Sequence, residues 1–162
     1  MFEIKKATIH DTELILKYIK ELAIVENLPY EVSVTKEDIE QNIFSKDSNV
    51  GALICYNEQM PCGFAVYYYT FSTSTGKKGL HLDDLYIEPS HQGKGYGKSV
   101  LAYLSKLAVK SNCSRFEWWA LKTNISAIKF YENIGARKVD EIFIFRLDSE
   151  GINVMAENEK TQ

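Results

Sequence analysis

The chain has 162 residues, 45% hydrophobic and 25% charged, with three prolines and a net charge of −3. That is the length of one ordinary domain, able to bury about two thirds of its unfolded surface, and the composition of a folded rather than a disordered chain. With no concentrated basic tract the chain is not expected to bind nucleic acid, and no apolar run approaches the roughly 20 residues that span a bilayer.

The opening MFEIKKATIHD lacks the apolar stretch and cleavage site of a signal peptide. Cys55, Cys62 and Cys113 are odd in number and contain no C-x-x-C pair, so reduced thiols in a cytoplasmic protein are expected. His10, His81 and His91 have no metal-ligand spacing, and no metal is expected.

In chain order, Phe2 to Ala7 predicts a short strand. Asp11 to Val25 carries Leu14, Ile15, Tyr18, Ile19 and Leu22 at helical spacing. Thr35 and Asp38 form a capping-box pattern ahead of Ile39, so a second helix is expected from Thr35. Val50 to Tyr56 and Gly63 to Ser72 read as strands joined by the polar turn NEQMP, and Leu80 to Glu88 as a third. A helix is expected over about Lys98 to Lys110, with Val100, Leu101, Leu104, Leu107 and Ala108 inward. Arg115 to Leu121 predicts a strand, Ser126 to Asn133 a short helix and Val139 to Leu147 a last strand. The order β-α-α-β-β-β-α-β-α-β describes an α/β fold with a mixed sheet flanked by helices. One domain is expected over residues 1–148, with a polar, fraying tail over 149–162.

Between the fourth expected strand, Leu80 to Glu88, and its helix lies HQGKGYGKS, His91 to Ser99. It is not the triphosphate loop G-x-x-x-x-G-K-[ST], because Gln92 stands where the first glycine belongs. It is not the dinucleotide fingerprint either, since the third glycine comes one residue early. What remains is Q-x-x-G-x-G, Gln92 to Gly97. Joining a strand end to a helix start, it turns the first helical N–H groups and the positive dipole end toward whatever binds. Glycines at 93, 95 and 97 let a ligand come close to the backbone. An anion site is expected, a purely structural turn being the alternative.

With its flanks, LHLDDLYIEPSHQGKGYGKSVL followed by NISAIKFYENIGA, the stretch resembles the Gcn5-related N-acetyltransferase superfamily. IKELAIVE, GFAVYYYTF, LHLDDLYI and FYENIGA are most similar to its diamine (spermidine/spermine) and thialysine N-acetyltransferase branch. The resemblance covers nearly the whole chain. It implies the acyl-coenzyme A N-acyltransferase fold and acetyl-coenzyme A as donor, with the pyrophosphate held by Gln92, Gly93, Lys94, Gly95, Tyr96, Gly97 and Lys98. It also implies backbone contacts to the pantetheine arm from Leu85, Tyr86 and Ile87, the Ile87 N–H or a neighbour acting as oxyanion donor, and a side-chain contact from Asn124. For Asn124 the alternative is a helix N-cap ahead of Ser126.

Acetyl transfer from a thioester to an amine needs a neutral amine, an oxyanion donor and an acid for the departing thiolate. The resemblance makes Tyr131 of FYENIGA that acid, the alternative being a core tyrosine. It places the substrate-binding acid at Asp83, where the family has glutamate. The shorter side chain favours proton transfer through water. Asp84 is the neighbouring candidate; because strand side chains alternate, the two aspartates face opposite ways unless a bulge intervenes. The resemblance further implies that Glu26 and Glu117, Trp118 and Trp119 of the fifth strand bind the acceptor. Alternate residues of one strand cannot all face one pocket, and an adjacent Trp pair also serves as core and surface packing.

The expected activity is acetylation of the primary amine of a small cationic acceptor, a polyamine, diamine or thialysine-like amino acid, by direct attack in a ternary complex. The alternatives are acetylation of a protein lysine or N-terminus and a non-catalytic acyl-coenzyme A-binding module. A homodimer is expected by resemblance.

Overall fold

The computed structural model describes residues 1–159, so the last three residues of the expected tail lie outside it. The chain divides into two compact units, Met1–Leu121 and the segment from Lys122 on. The first is built on a five-stranded sheet in the order β1 (Phe2–Lys6), β2 (Val50–Asn57), β3 (Met60–Ser72), β4 (Lys77–Ile87), β5 (Arg115–Trp118). The first four strands run antiparallel to their neighbours. β5 joins β4 in parallel, as a strand returning through a helix does.

Two helices cover one face. α1 (Thr12–Val25) presents Ile15, Tyr18 and Leu22, and α2 (Lys36–Ile43) presents Ile39, to Ala52, Ile54, Phe64, Val66 and Tyr86 of the sheet. The Tyr18 ring lies 5.6 Å from that of Phe64 and 5.7 Å from that of Tyr86. The capping box expected from the sequence closes α2: the Thr35 N–H donates to Asp38 Oδ2 at 2.9 Å and the Asp38 N–H to Thr35 Oγ1 at 3.1 Å. α3 (Tyr96–Lys110) packs on β4, burying Val100, Leu101, Leu104 and Ala108.

The polar turn after β2 contracts to Glu58 and Gln59, with φ of 49° and 68°, so β3 starts at Met60 instead of Gly63. A two-residue hairpin turn that matches strand twist requires positive φ at both positions, and here two non-glycine residues supply it. β5 stops at Trp118 instead of Leu121, where its ladder with β4 ends.

The second unit contains α4 (Ile125–Asn133) and α5 (Ser149–Ala156). The strand expected over Val139–Leu147 is not formed: described residues 134–148 contain no strand. Its side chains have strand character, but a strand also needs a hydrogen-bonding neighbour, which is not a local property. Phe143 and Phe145 are 89% and 93% exposed. The tail expected to fray instead forms α5, because Asp148 is its N-cap and accepts from the Gly151 N–H at 2.8 Å. The mixed α/β fold thus lacks the expected last strand over Val139–Leu147 and has a helix within the expected tail.

Candidate active site

β3 and β4 lose register at one point. Val66 aligns with Asp84 and Tyr67 with Leu82, which leaves Asp83 as an extra residue without a partner, a β-bulge. In an unbroken strand two adjacent aspartates point to opposite faces. Here Asp84 keeps the parity of Val66 and Tyr86, toward α1 and α2, while His81, aligned with Tyr68, holds the same face on the other side of the bulge. The extra residue brings Asp83 to that face as well.

α1 ends beside them, with Glu26 as its C-cap. Burial, then the charge of Asp83, then that of Glu26, pushes the Asp84 carboxyl up to about 7. Burial and the Asp83 charge raise Glu26, and burial and the same charge raise the Tyr68 hydroxyl. Glu26, Asp83, Asp84 and Tyr68 are therefore one electrostatic cluster, with Asp83 exposed and Asp84 and Glu26 half-buried. On β5, Glu117 aligns with His81, and Trp119 meets the His81 ring edge-on at 5.1 Å. Trp118 aligns with Leu82 and packs on Phe116, ring centroids 5.0 Å apart, so it takes the opposite face. Of the three fifth-strand residues expected to meet the acceptor, two share the carboxylate face.

The parallel ladder ends at Leu82 and Trp118, so Leu85, Tyr86 and Ile87 pair with β3 alone, aligned with Ala65, Phe64 and Gly63. Among the described residues no strand lies along the other edge of β4 from Asp83 to Ile87. The Tyr86 side chain belongs to the core, which leaves its backbone for that edge.

After a 3-10 turn at Pro89–His91 comes the glycine loop. The Gln92 side chain donates to the Ile87 carbonyl at 2.9 Å and closes the loop on the strand end. Gly93 and Gly95 have φ of 75° and 82°, left-handed values that a side chain strains. Gly95 is the N-cap of α3 and offers no side-chain cap, so the N–H groups of Tyr96, Gly97 and Lys98 have no acceptor within the helix. The helix begins two residues earlier than expected and takes Gly97 into its first turn, where an added Cβ would meet nothing within 4 Å. The Tyr96 ring stacks on Phe2 at 4.0 Å and its hydroxyl donates to Asn57 Oδ1 at 3.0 Å. Its side chain anchors the loop, leaving its N–H to face a ligand. Lys94 and Lys98 are exposed. Backbone donors at a helix start, open glycines and two lysines fit a pyrophosphate.

One residue that the sequence reading passed over holds this loop to α1. Glu88 accepts from the Tyr18 hydroxyl at 3.2 Å and lies 3.6 Å from Lys17 Nζ and 3.7 Å from His91 Nδ1. Nothing in the local pattern distinguishes it from a surface glutamate.

In the second unit, the Asn124 side chain accepts from the Ala127 N–H at 3.3 Å and caps α4, the alternative raised for it. Tyr131 lies in the last turns of α4. Gly135, at φ 95°, ends that helix: its N–H donates to the Glu132 carbonyl and the Ala136 N–H to the Tyr131 carbonyl, both at 3.0 Å. FYENIGA is thus a helix C-terminus closed by a left-handed glycine.

A mixed sheet whose fourth strand opens onto a glycine loop and an uncapped helix start is a fold with a built anion site. The chain belongs to the Acetyltransferase (GNAT) family, whose model matches residues 17–136, and it is an acetyltransferase. Members of the family use acetyl-coenzyme A as acyl donor. The thialysine N-epsilon-acetyltransferase of Caenorhabditis elegans is 32% identical over 96% of this chain and 98% of its own. Human spermidine/spermine N(1)-acetyltransferase-like protein 1 is 33% identical over 83% of this chain and 20% of its own length. An integron cassette protein from the mobile metagenome of V. cholerae superposes with a TM-score of 0.80 at 27% identity, over 97% of this chain and 98% of that one.

Folding raises Asp84 above its ordinary carboxylate value, so the native state binds more protons than the unfolded chain between about pH 4 and about 7. This contribution makes stability fall as pH rises through that window. Urea unfolding of the wild type and Asp84→Asn at several pH values is expected to give a shallower fall for the variant; parallel curves would contradict the shift.

Proposed function

We propose that the protein transfers an acetyl group from acetyl-coenzyme A to a primary amine of a small cationic acceptor, a polyamine, diamine or thialysine-like amino acid, in a ternary complex. The observation that carries this reading is the bulge, which gathers Asp83, Asp84 and Glu26 on one face at the end of α1. Three carboxyl groups attract an alkylammonium and oppose an anionic acceptor. The amine-acetylating relatives support the same class.

Acetyl-coenzyme A supplies the acetyl group as a thioester. In this reading, the Gln92–Lys98 loop binds its pyrophosphate through the Gly93, Gly95, Tyr96, Gly97 and Lys98 backbone, with Lys94 and Lys98 adding charge. The open edge at Leu85, Tyr86 and Ile87 takes the pantetheine amides as an added strand takes a partner, and the Ile87 N–H or a neighbour receives the developing oxyanion. Asn124 acts first as the helix cap. The ammonium, with an ordinary pKa of roughly 10, loses a proton through water to Asp83. The acceptor nitrogen then bonds to the acetyl carbon as the carbon–sulfur bond breaks, the Tyr131 hydroxyl donates its proton to the departing sulfur, and the second proton that the nitrogen sheds on becoming an amide returns the tyrosinate to its neutral form through water. Residues 1–148 act as one catalytic domain; the family match from 17 to 136 runs through both compact units and supports this. Cytoplasmic residence is supported by three free cysteines, of which Cys55 and Cys62 are buried.

The enzyme works as a homodimer in this reading. Ile142 to Phe145 is a continuous apolar run, the pattern of a segment covered on both sides, yet all four side chains are exposed. A second copy of the chain supplies the missing cover. Light scattering is expected to give the mass of two chains for the wild type, shifting toward one for Phe143→Asp/Phe145→Asp; a monomeric wild type would overturn the dimer.

Thiol release with a panel of amines tests the chemistry. Tyr131→Phe is expected to lower kcat by roughly 10²- to 10⁴-fold with the KM for acetyl-coenzyme A little changed. Asp83→Asn is expected to act on the amine side, raising the acceptor KM and moving the pH–rate profile to higher pH. Unchanged turnover in Tyr131→Phe would remove it from the acid role, and thioester consumed with peptides but with no small amine would overturn the acceptor class.

A further inference from the structure

The carboxylate cluster continues along the sheet into three rings in series. Tyr68 and His81 are aligned across β3 and β4, with ring centroids 4.8 Å apart and planes 31° from parallel. His81 in turn meets Trp119 edge-on at 5.1 Å. His81 is 6% exposed, whereas Tyr68 is half-buried and Trp119 is 58% exposed. One buried imidazole thus links two rings that both keep accessible surface. Tyr68 and His81 are not among the side chains that form the core with α1 and α2.

Strand geometry gives the wall a direction. By the register, His81 and Asp84 span the two steps from Tyr68 to Val66, about 7 Å along the sheet and roughly the length of a five-carbon chain, with Asp83 between them. The Asp83 charge also reaches the Tyr68 hydroxyl. An ammonium held at Asp83 therefore has ring surface beginning beside it, and its methylenes gain by leaving water for that surface.

We infer that Tyr68, His81 and Trp119 form an aromatic wall that selects acceptors by the length of the alkyl chain carrying the reacting amine. Tyr68 and Trp119 supply the surface, and His81 is a positioning residue that keeps the two rings in line. This inference rests on the proposed amine acetylation and deepens it, since the carboxylates alone bind any ammonium and leave chain length unread.

The test compares pentylamine with ethylamine in two readouts, acetyl-coenzyme A turnover and calorimetric binding to the intact protein. In the wild type, pentylamine is expected to be preferred in kcat/KM and to bind more tightly. Tyr68→Leu and His81→Ala should each reduce the pentylamine-to-ethylamine ratio of kcat/KM roughly tenfold, through the pentylamine KM with kcat retained. His81→Phe, which keeps a ring in place, should restore most of that ratio, a rescue that loss of folding does not give. If the variants lose both amines in equal proportion, or the ratio does not move, the wall is refuted while amine acetylation stands. If pentylamine binds with the expected dependence on Tyr68 and His81 but is not acetylated, the wall stands and the proposed reaction fails. If the wild type neither binds nor acetylates either amine, both are overturned.

Discussion

The bulge at Asp83 is the constraint on which the rest of the site depends. One extra residue in β4 turns two consecutive carboxylates to the face covered by α1 and α2, and it does so where α1 ends at Glu26. The cost is electrostatic. Asp84 sits half-buried beside two other acidic groups, and its carboxyl is held at about 7 because ionising it there is unfavourable. A cation relieves that cost, so the same arrangement that destabilises the free site near neutral pH favours an alkylammonium in it. The bulge also divides the strand by use: before it, β4 pairs with both neighbours; after it, the strand pairs with β3 alone and leads into the glycine loop.

The loop depends on anchoring as much as on glycine. Left-handed φ at Gly93 and Gly95 shapes the backbone, but Gln92 ties it to Ile87, Tyr96 ties it to Phe2 and Asn57, and Glu88 ties the strand end to Tyr18. These contacts hold a row of N–H donors in place before an anion arrives, which lowers the ordering cost of binding.

Much of this was legible in the sequence because it is local. The α1 periodicity, the Thr35–Asp38 cap, and a glycine loop between strand and helix each follow from residues a few positions apart. The resemblance led to Asp83, Asp84, Glu26 and Tyr131. What was not legible is non-local. A bulge is a statement about the register of two strands, and nothing in LHLDDLYI says that Asp83 lacks a partner in GFAVYYYTF. The same holds for Trp118, whose face is set by alignment with Leu82, for Glu88, whose partners lie on α1, and for Tyr68 and His81, which meet only across a strand pair. The expected last strand fails for this reason too, since the character of Ile142 to Phe145 does not name a neighbour.

Asp84, turned inward by the bulge beside two other acidic groups, is a carboxyl that a nearby cation would help to ionise. Carbon-detected NMR titration of the aspartate carboxyl groups, with and without pentylamine, reads this directly. Asp84 is expected to titrate near 7 in the free protein and at lower pH once the ammonium is bound, because a neighbouring positive charge favours the ionised form. An Asp84 that titrates near 4, unmoved by the amine, would contradict it.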